Sequence, residues 1–234
     1  MKRVHVLLTG LTLTIVLLSI NRLTDLTQGH LPPHEFLRWL DFNAMIPIPL
    51  LTIVLYVLLL RDVVRSRSIF TREHVALTLL FIVGVYLLGA ASGDHEVTNY
   101  LHYRFCTPDP GSMLCQIVIT NDDGFATDVY YFGVIALNVA LMLFELRNPR
   151  SPEASRKNLV GVSANALVIG LGVFANLAFE EIGRDLIYFS LLLVTALAVL
   201  LFGRQKVGAL PVTYYFAFAY GLGVAGTAVA KLVT

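Results

Sequence analysis

Between Asp94 and His102, in the stretch "ASGDHEVTNYLHYRFC" (residues 91–106), the chain places two histidines, two acids and an asparagine directly after an apolar run. Imidazoles and carboxylates are the side chains that move protons or hold metals near neutral pH. If the preceding helix continues through this stretch, at about 100° per residue Ser92, His95, Asn99 and His102 form one stripe while Asp94, Val97 and Leu101 point away. "SGDH" is therefore no local triad, although Ser92 and His95 can meet. The two imidazoles lie two turns apart, about 10 Å along the axis, too far to bind one ion without other ligands.

Candidates to complete such a site come from remote segments: His30 and His34 from an earlier loop, and Glu180 and Glu181 from "NLAFEEIGRD". Imidazole with carboxylate suits a divalent transition metal, zinc, iron or copper, and the residue types do not choose among them. In a catalytic reading His95 and His102 act as ligand or base, and Glu180 or Glu181 as ligand or general acid. Ser92, Asn99, Asn176 and Trp39 are the expected substrate contacts, with Asn176 one turn below Glu180. The alternative is plain: histidines near an interface are ordinarily solvated or hydrogen-bonded, and acids outside a bilayer are ordinary surface.

These residues must be positioned by membrane helices. Of 234 residues 56% are hydrophobic and 14% charged, against roughly 25% charged in soluble domains, and the mean hydropathy is +0.73. The apolar residues fall in seven blocks, at residues 4–20, 44–60, 75–91, 129–146, 159–179, 186–202 and 210–233, each near the length that crosses a bilayer. The expectation is an all-α, polytopic membrane protein of seven transmembrane helices forming a single domain over 1–234. The first block lacks a small-x-small cleavage pattern and reads as a retained helix.

With the N-terminus inside, twelve of the seventeen basic residues fall on the cytoplasmic side and twelve of the sixteen acids on the other. The basic bias predicts N-in, C-out, in the plasma (inner) membrane of a prokaryote. His30, His34, His95 and His102 join the acids, so ionisable chemistry gathers at one mouth.

The segments at that mouth carry further expectations. "LPPHEFLRWLDF" reads as a short amphipathic helix in the outer interface, with Trp39 at headgroup depth. The outer connection between the third and fourth spanning helices, residues 93–128, is the longest, and within it "CQIVIT", "NDDG" and "FATDVYYF" read as a small hairpin around a turn. Cys106 and Cys115 share that connection and either form a disulfide or remain thiols. Pro47 and Pro49 predict a kink near the outer end of the second spanning helix, next to the polar mouth. Asn138, Ser163 and Asn165 call for interhelical hydrogen bonds, and Gly221, Gly223 and Gly226 for close helix contact.

Two functions fit. One is a metal-dependent membrane enzyme, a hydrolase or related acid–base catalyst, acting on a lipid or lipid-like small molecule at the outer face. The other is a transporter, sensor or accessory subunit whose acidic mouth is a binding vestibule. The expected partners are the bilayer and that molecule, not nucleic acid. Oligomeric state is not legible.

Overall fold

Seven spans are long and apolar enough to cross a membrane: residues Lys2–Leu23, Trp39–Val64, Arg72–Cys106, Met113–Arg147, Arg156–Ala175, Arg184–Phe202 and Pro211–Leu232. They belong to a computed structural model that describes residues 1–64, 71–179 and 184–233. Among the described residues every element is helical. The main helices are α1 (Lys2–Leu23), α2 (Trp39–Met45), α3 (Pro47–Val64), α4 (Arg72–Leu101), α5 (Met113–Ile119), α6 (Thr127–Arg147), α7 (Arg156–Phe179), α8 (Arg184–Phe202) and α9 (Pro211–Val233).

Lipid tails are as apolar as leucine, so close packing rather than hydrophobicity draws such helices together. Glycine makes the two tightest crossings possible. A Cβ on Gly133 of α6 would sit 2.7 Å from the Leu88 amide nitrogen of α4, and one on Gly84 would sit 2.8 Å from the Leu137 nitrogen. The α7–α9 crossing is built likewise: a Cβ on Gly223 would lie 2.4 Å from Val173 Cγ1, and one on Gly170 2.9 Å from the Ala219 carbonyl oxygen. Gly226 approaches Phe174, whereas Gly221 makes only ordinary contact with Leu193.

Polar groups inside the bundle bridge helices, because hydrocarbon offers them no other partner. Asn138 accepts from Tyr56 of α3 at 2.7 Å and donates to Tyr220 of α9 at 2.6 Å. Ser163 meets the Tyr214 hydroxyl at 2.8 Å. The amide of Asn165 instead donates within its own helix, to Gly161, while the Asn165 carbonyl accepts from Thr12 of α1.

Three expectations about the segments at the polar mouth are corrected. Residues 31–38 are not a helix: His34 and Glu35 adopt positive φ (66° and 52°), and the helix starts only at Trp39. Consecutive prolines disfavour helical backbone before them, and the start is fixed by a capping box in which Asp41 accepts from the Arg38 backbone. The expected hairpin is absent: residues 113–147 run helically throughout, as α5, a π-helical turn (Thr120–Ala126) and α6. Ser112 caps this run by accepting from the Cys115 amide, and proline is missing from it, so "NDDG" widens the helix instead of reversing the chain. For the same reason the expected long loop shrinks to residues 107–112.

The proline expectation holds in form. The chain breaks at Ile46 (φ −118°, ψ −72°) and α3 resumes at Pro47.

Candidate functional site

α4 runs unbroken from Arg72 to Leu101, started by Thr71, whose side chain accepts from His74 N, and it passes Gly89 and Gly93 without interruption. This continuity sets the angular positions of Ser92, His95, Glu96, Asn99 and His102. Facing them is the π-helical turn between α5 and α6, a rare feature that is frequent at functional sites. Thr127 donates to the Asp122 carbonyl five residues back, and the Asp122 side chain turns inward until it is only 2% exposed.

Asp122 is where the two histidines of the stripe meet. One carboxylate oxygen lies 2.8 Å from His95 Nδ1 and the other 3.7 Å from His102 Nδ1. Thr98 also donates to Asp122, at 3.2 Å. With Nδ1 engaged by the carboxylate, Nε2 is the ring nitrogen of His95 left for other work. Asp94, expected to point away, reaches the same segment by a different route, accepting from Asn121 at 2.9 Å.

His95 and Ser92 line a cavity of about 870 Å³ at this end of the bundle, the size of sites that hold drug-sized or lipid-like molecules. Its apolar wall includes Ile15 and Leu18 of α1, Ala44, Ile48 and Pro49 beside the chain break, Leu88 of α4 and Leu177 of α7. The break before Pro47 thus borders this space. The polar part comprises Arg22, His95, Glu96, Asp123, Tyr130, Tyr131, Arg184 and Asp185, with threonines at 14, 52 and 127. Arg22, Asp123 and Arg184 are exposed and form the rim.

The electrostatics of the rim are paired. Arg22 donates to Glu96 Oε1 at 2.5 Å. Arg184 donates to Asp128 at 2.7 Å and to the Asp123 carbonyl at 3.3 Å, and Tyr188 donates to Asp128 at 3.0 Å. Tyr131, stacked on Tyr188, donates to Asp185 at 2.8 Å. Glu96 is 3% exposed, and among the described residues its Oε2 has no hydrogen-bond partner.

The remaining sequence candidates are placed elsewhere. Asn99 and His102 face a separate, shallower hollow with Tyr103, Cys106, Thr107 and Pro110. Cys106 and Cys115 form a disulfide there, anchoring the start of α5 to the end of α4. His30 sits edge-on to Tyr100, ring centroids 6.2 Å apart, and His34 lies in the positive-φ turn. Neither joins His95, so these four histidines do not form one ligand set. Trp39 packs edge-on against Phe42 and is half-exposed, away from the cavity lining. Glu180, Glu181 and the Asn176 side chain lie outside the described residues. Among the described residues no group of three or more His, Cys, Asp or Glu is arranged to hold a metal ion.

The loop before α2 is fastened to the end of α4. Tyr100 and Arg104 both donate to the Glu35 carbonyl, and the Arg38 guanidinium lies 4.2 Å from the Tyr103 ring centroid. Arg38 donates from Nε and Nη2 to the two carboxylate oxygens of buried Asp41, at 2.8 and 2.7 Å. Burial disfavours its charge, but the hydrogen bond and charge of Asp41 prevail and raise its pKa above the ordinary value.

Sequence reasoning missed Asp122, Glu96 and Arg22. Two signals were present: Glu96 follows Ser92 by four residues and so shares its face, and Arg22 is the basic residue in the last turn of α1 on the acid-rich side. Compared with known proteins, the chain matches no family model, no curated protein and no solved structure.

Proposed function

We propose that this integral membrane protein is an enzyme that takes an amphiphilic, lipid-like molecule into the cavity at its acidic end and acts on it by acid–base chemistry, with His95 as general base. The observation that carries the reading is the pairing of cavity-lining His95 with buried Asp122 at 2.8 Å. A carboxylate on Nδ1 fixes the tautomer, presents Nε2 to the substrate and steadies the imidazolium once a proton is taken. The apolar wall from Ile15 to Leu177 suits an acyl or alkyl chain, and the polar part suits a headgroup. With the basic residues of the opposite end inside, by the positive-inside rule, this mouth faces outward.

The chemistry is hydrolysis or proton transfer: Nε2 removes a proton from an attacking water or from the substrate itself and returns it to the leaving group. Asp122 serves His95 at 2.8 Å, whereas His102 at 3.7 Å stands beyond hydrogen-bond reach, and the reading calls for no metal.

The test is turnover of a panel of ester- and amide-linked lipids by the purified chain. His95→Ala is expected to abolish product formation, and Asp122→Asn to reduce it roughly 100-fold or more. Activity lost to chelators and restored by zinc, iron or copper would return the metal-dependent version. Binding without turnover, unchanged by His95→Ala, would leave a vestibule for transport or sensing.

A further inference from the structure

We propose that the cavity is a length gauge for an alkyl or acyl chain of about eight to ten carbons, entered from the acidic mouth and stopped one helical turn below its lining. The inference rests on the reading of this cavity as the functional site and names the class of lipid it takes, a medium-chain one.

The lining begins and ends at matching depths on the four segments that form most of it. It covers residues 14–22 of α1, 44–52 across the break before α3, 88–96 of α4 and 123–131 through the π-helical turn into α6. On the unbroken helices α1 and α4 those stretches rise about 12 Å from the inner end to the rim. Thr14 donates to the Leu11 carbonyl at 2.8 Å and Thr52 to the Ile48 carbonyl at 2.9 Å, so both hydroxyl hydrogens are spent within their own helices. Beside them the inner wall is Ile15, Ile48 and Leu88, a surface for hydrocarbon.

The second observation is a floor one turn further in. Gly10, Tyr56 and Gly84 each fall four residues beyond the innermost lining residue of α1, α3 and α4. At that level the bundle is shut. A Cβ on Gly10 would sit 2.9 Å from Leu55 Cδ2, so α1 lies against α3, and one on Gly84 would sit 2.8 Å from the Leu137 nitrogen, so α4 lies against α6. The bonds from Tyr56 to Asn138 and from Asn138 to Tyr220, at 2.7 and 2.6 Å, tie α3, α6 and α9 together below the cavity. A backbone crossing and a hydrogen-bonded link in hydrocarbon do not give way cheaply to an intruding methyl group. A saturated chain advances about 1.25 Å per bond, from a single bond of about 1.5 Å and an angle of about 111°. The full depth therefore takes about ten bonds, and the path from the level of His95 down to Leu88 takes about eight. An octadecanoyl chain, about 21 Å long when extended, overruns the floor.

The experiment offers the full chain an equimolar mixture of hexanoyl, octanoyl, decanoyl, tetradecanoyl and octadecanoyl glycerol and reads the bound species by native mass spectrometry. The micelles are of a steroid-cored detergent, which brings no alkyl chain of its own. Inside them the long chains are already out of water, so enrichment reports fit rather than hydrophobicity. Octanoyl and decanoyl glycerol are expected to be enriched about tenfold or more over octadecanoyl glycerol, the scale of overpacking against a closed floor. Thr52→Phe fills the innermost turn and is expected to shorten the preferred chain by about four carbons, the length of one turn. Leu51→Phe, on the exposed face of the same helix, is expected to leave the preference unchanged. Enrichment of the tetradecanoyl or octadecanoyl species overturns the proposal, as does binding indifferent to length, no binding of any member, or a preference that Thr52→Phe does not move. The wild-type comparison requires no variant, so a folding defect in Thr52→Phe does not shelter the proposal. Turnover separates the two readings. A length preference with turnover indifferent to His95→Ala refutes the catalytic reading alone, and His95-dependent turnover without a length preference refutes the gauge alone.

Discussion

Glu145 of α6 caps the first turn of α9 through Thr213: one carboxylate oxygen accepts from the Thr213 backbone at 2.7 Å and from its hydroxyl at 2.8 Å, while the other accepts from the Val212 backbone at 2.9 Å. α9 starts at Pro211, whose missing N–H needs no partner, so a single side chain satisfies the next two amides. Glu145→Ala strands those buried donors and should cost about 1–3 kcal/mol. A fall in the detergent melting temperature would be seen by scanning fluorimetry. An unchanged melting curve would mean that water or a neighbour replaces the cap.

The α4–α6 crossing makes opposite forecasts for two glycines. Gly133→Ala forces a Cβ against the Leu88 backbone, which side-chain motion cannot relieve, and overpacking of this kind costs about 1–3 kcal/mol. Gly89→Ala meets nothing within 4 Å and should be neutral or stabilising by up to about 1 kcal/mol, as alanine is in helices. Melting temperatures that rank the variants the other way would contradict the crossing.

Arg22 is the cation paired with buried Glu96. Arg22→Ala leaves both oxygens of that carboxylate without a hydrogen-bond partner among the described residues and should destabilise the protein by about 1–3 kcal/mol. The double variant Arg22→Ala with Glu96→Gln should recover part of the loss in a double-mutant cycle. Additive losses would show that the pair contributes nothing.

Ser92, which the helical stripe puts beside His95, donates to the Leu88 carbonyl at 2.8 Å, the ordinary back-bond of a helical serine. Ser92→Ala is therefore expected to keep turnover within about twofold of wild type, against the roughly 100-fold loss expected for Asp122→Asn. Loss of activity in Ser92→Ala would make the serine a nucleophile and overturn this assignment.

The helices were legible because the bilayer fixes their length and composition at once. The first apolar block ended three residues before α1 does, and the last began one residue before Pro211. The stripe through Ser92, His95, Asn99 and His102 was legible because it needs only a continuous helix. Asp122 was not. Its neighbours "NDDG" carry the composition of a turn, and only the fit of a widened helix against α4, 27 residues away from His95, decides otherwise. Glu96 escaped for a related reason. It sits about 100° from His95 and faces α1, so its role depends on which helix lies there, and local sequence does not encode that. His30 and His34 went the other way: shared sidedness suggested a shared site, but the bond from Tyr100 to Glu35 holds their loop against the last turn of α4, away from His95.

Asp122 rides on the same helical run, Met113–Arg147, as Gly133, Asn138 and Glu145. At helical rise those 35 residues extend about 50 Å, so one uninterrupted element carries the carboxylate that holds His95 at the acidic mouth, the Asn138 link to Tyr220 midway, and the Glu145 cap on α9 at the opposite rim. Whatever fixes the placement of this run in the bundle fixes the catalytic pair along with it.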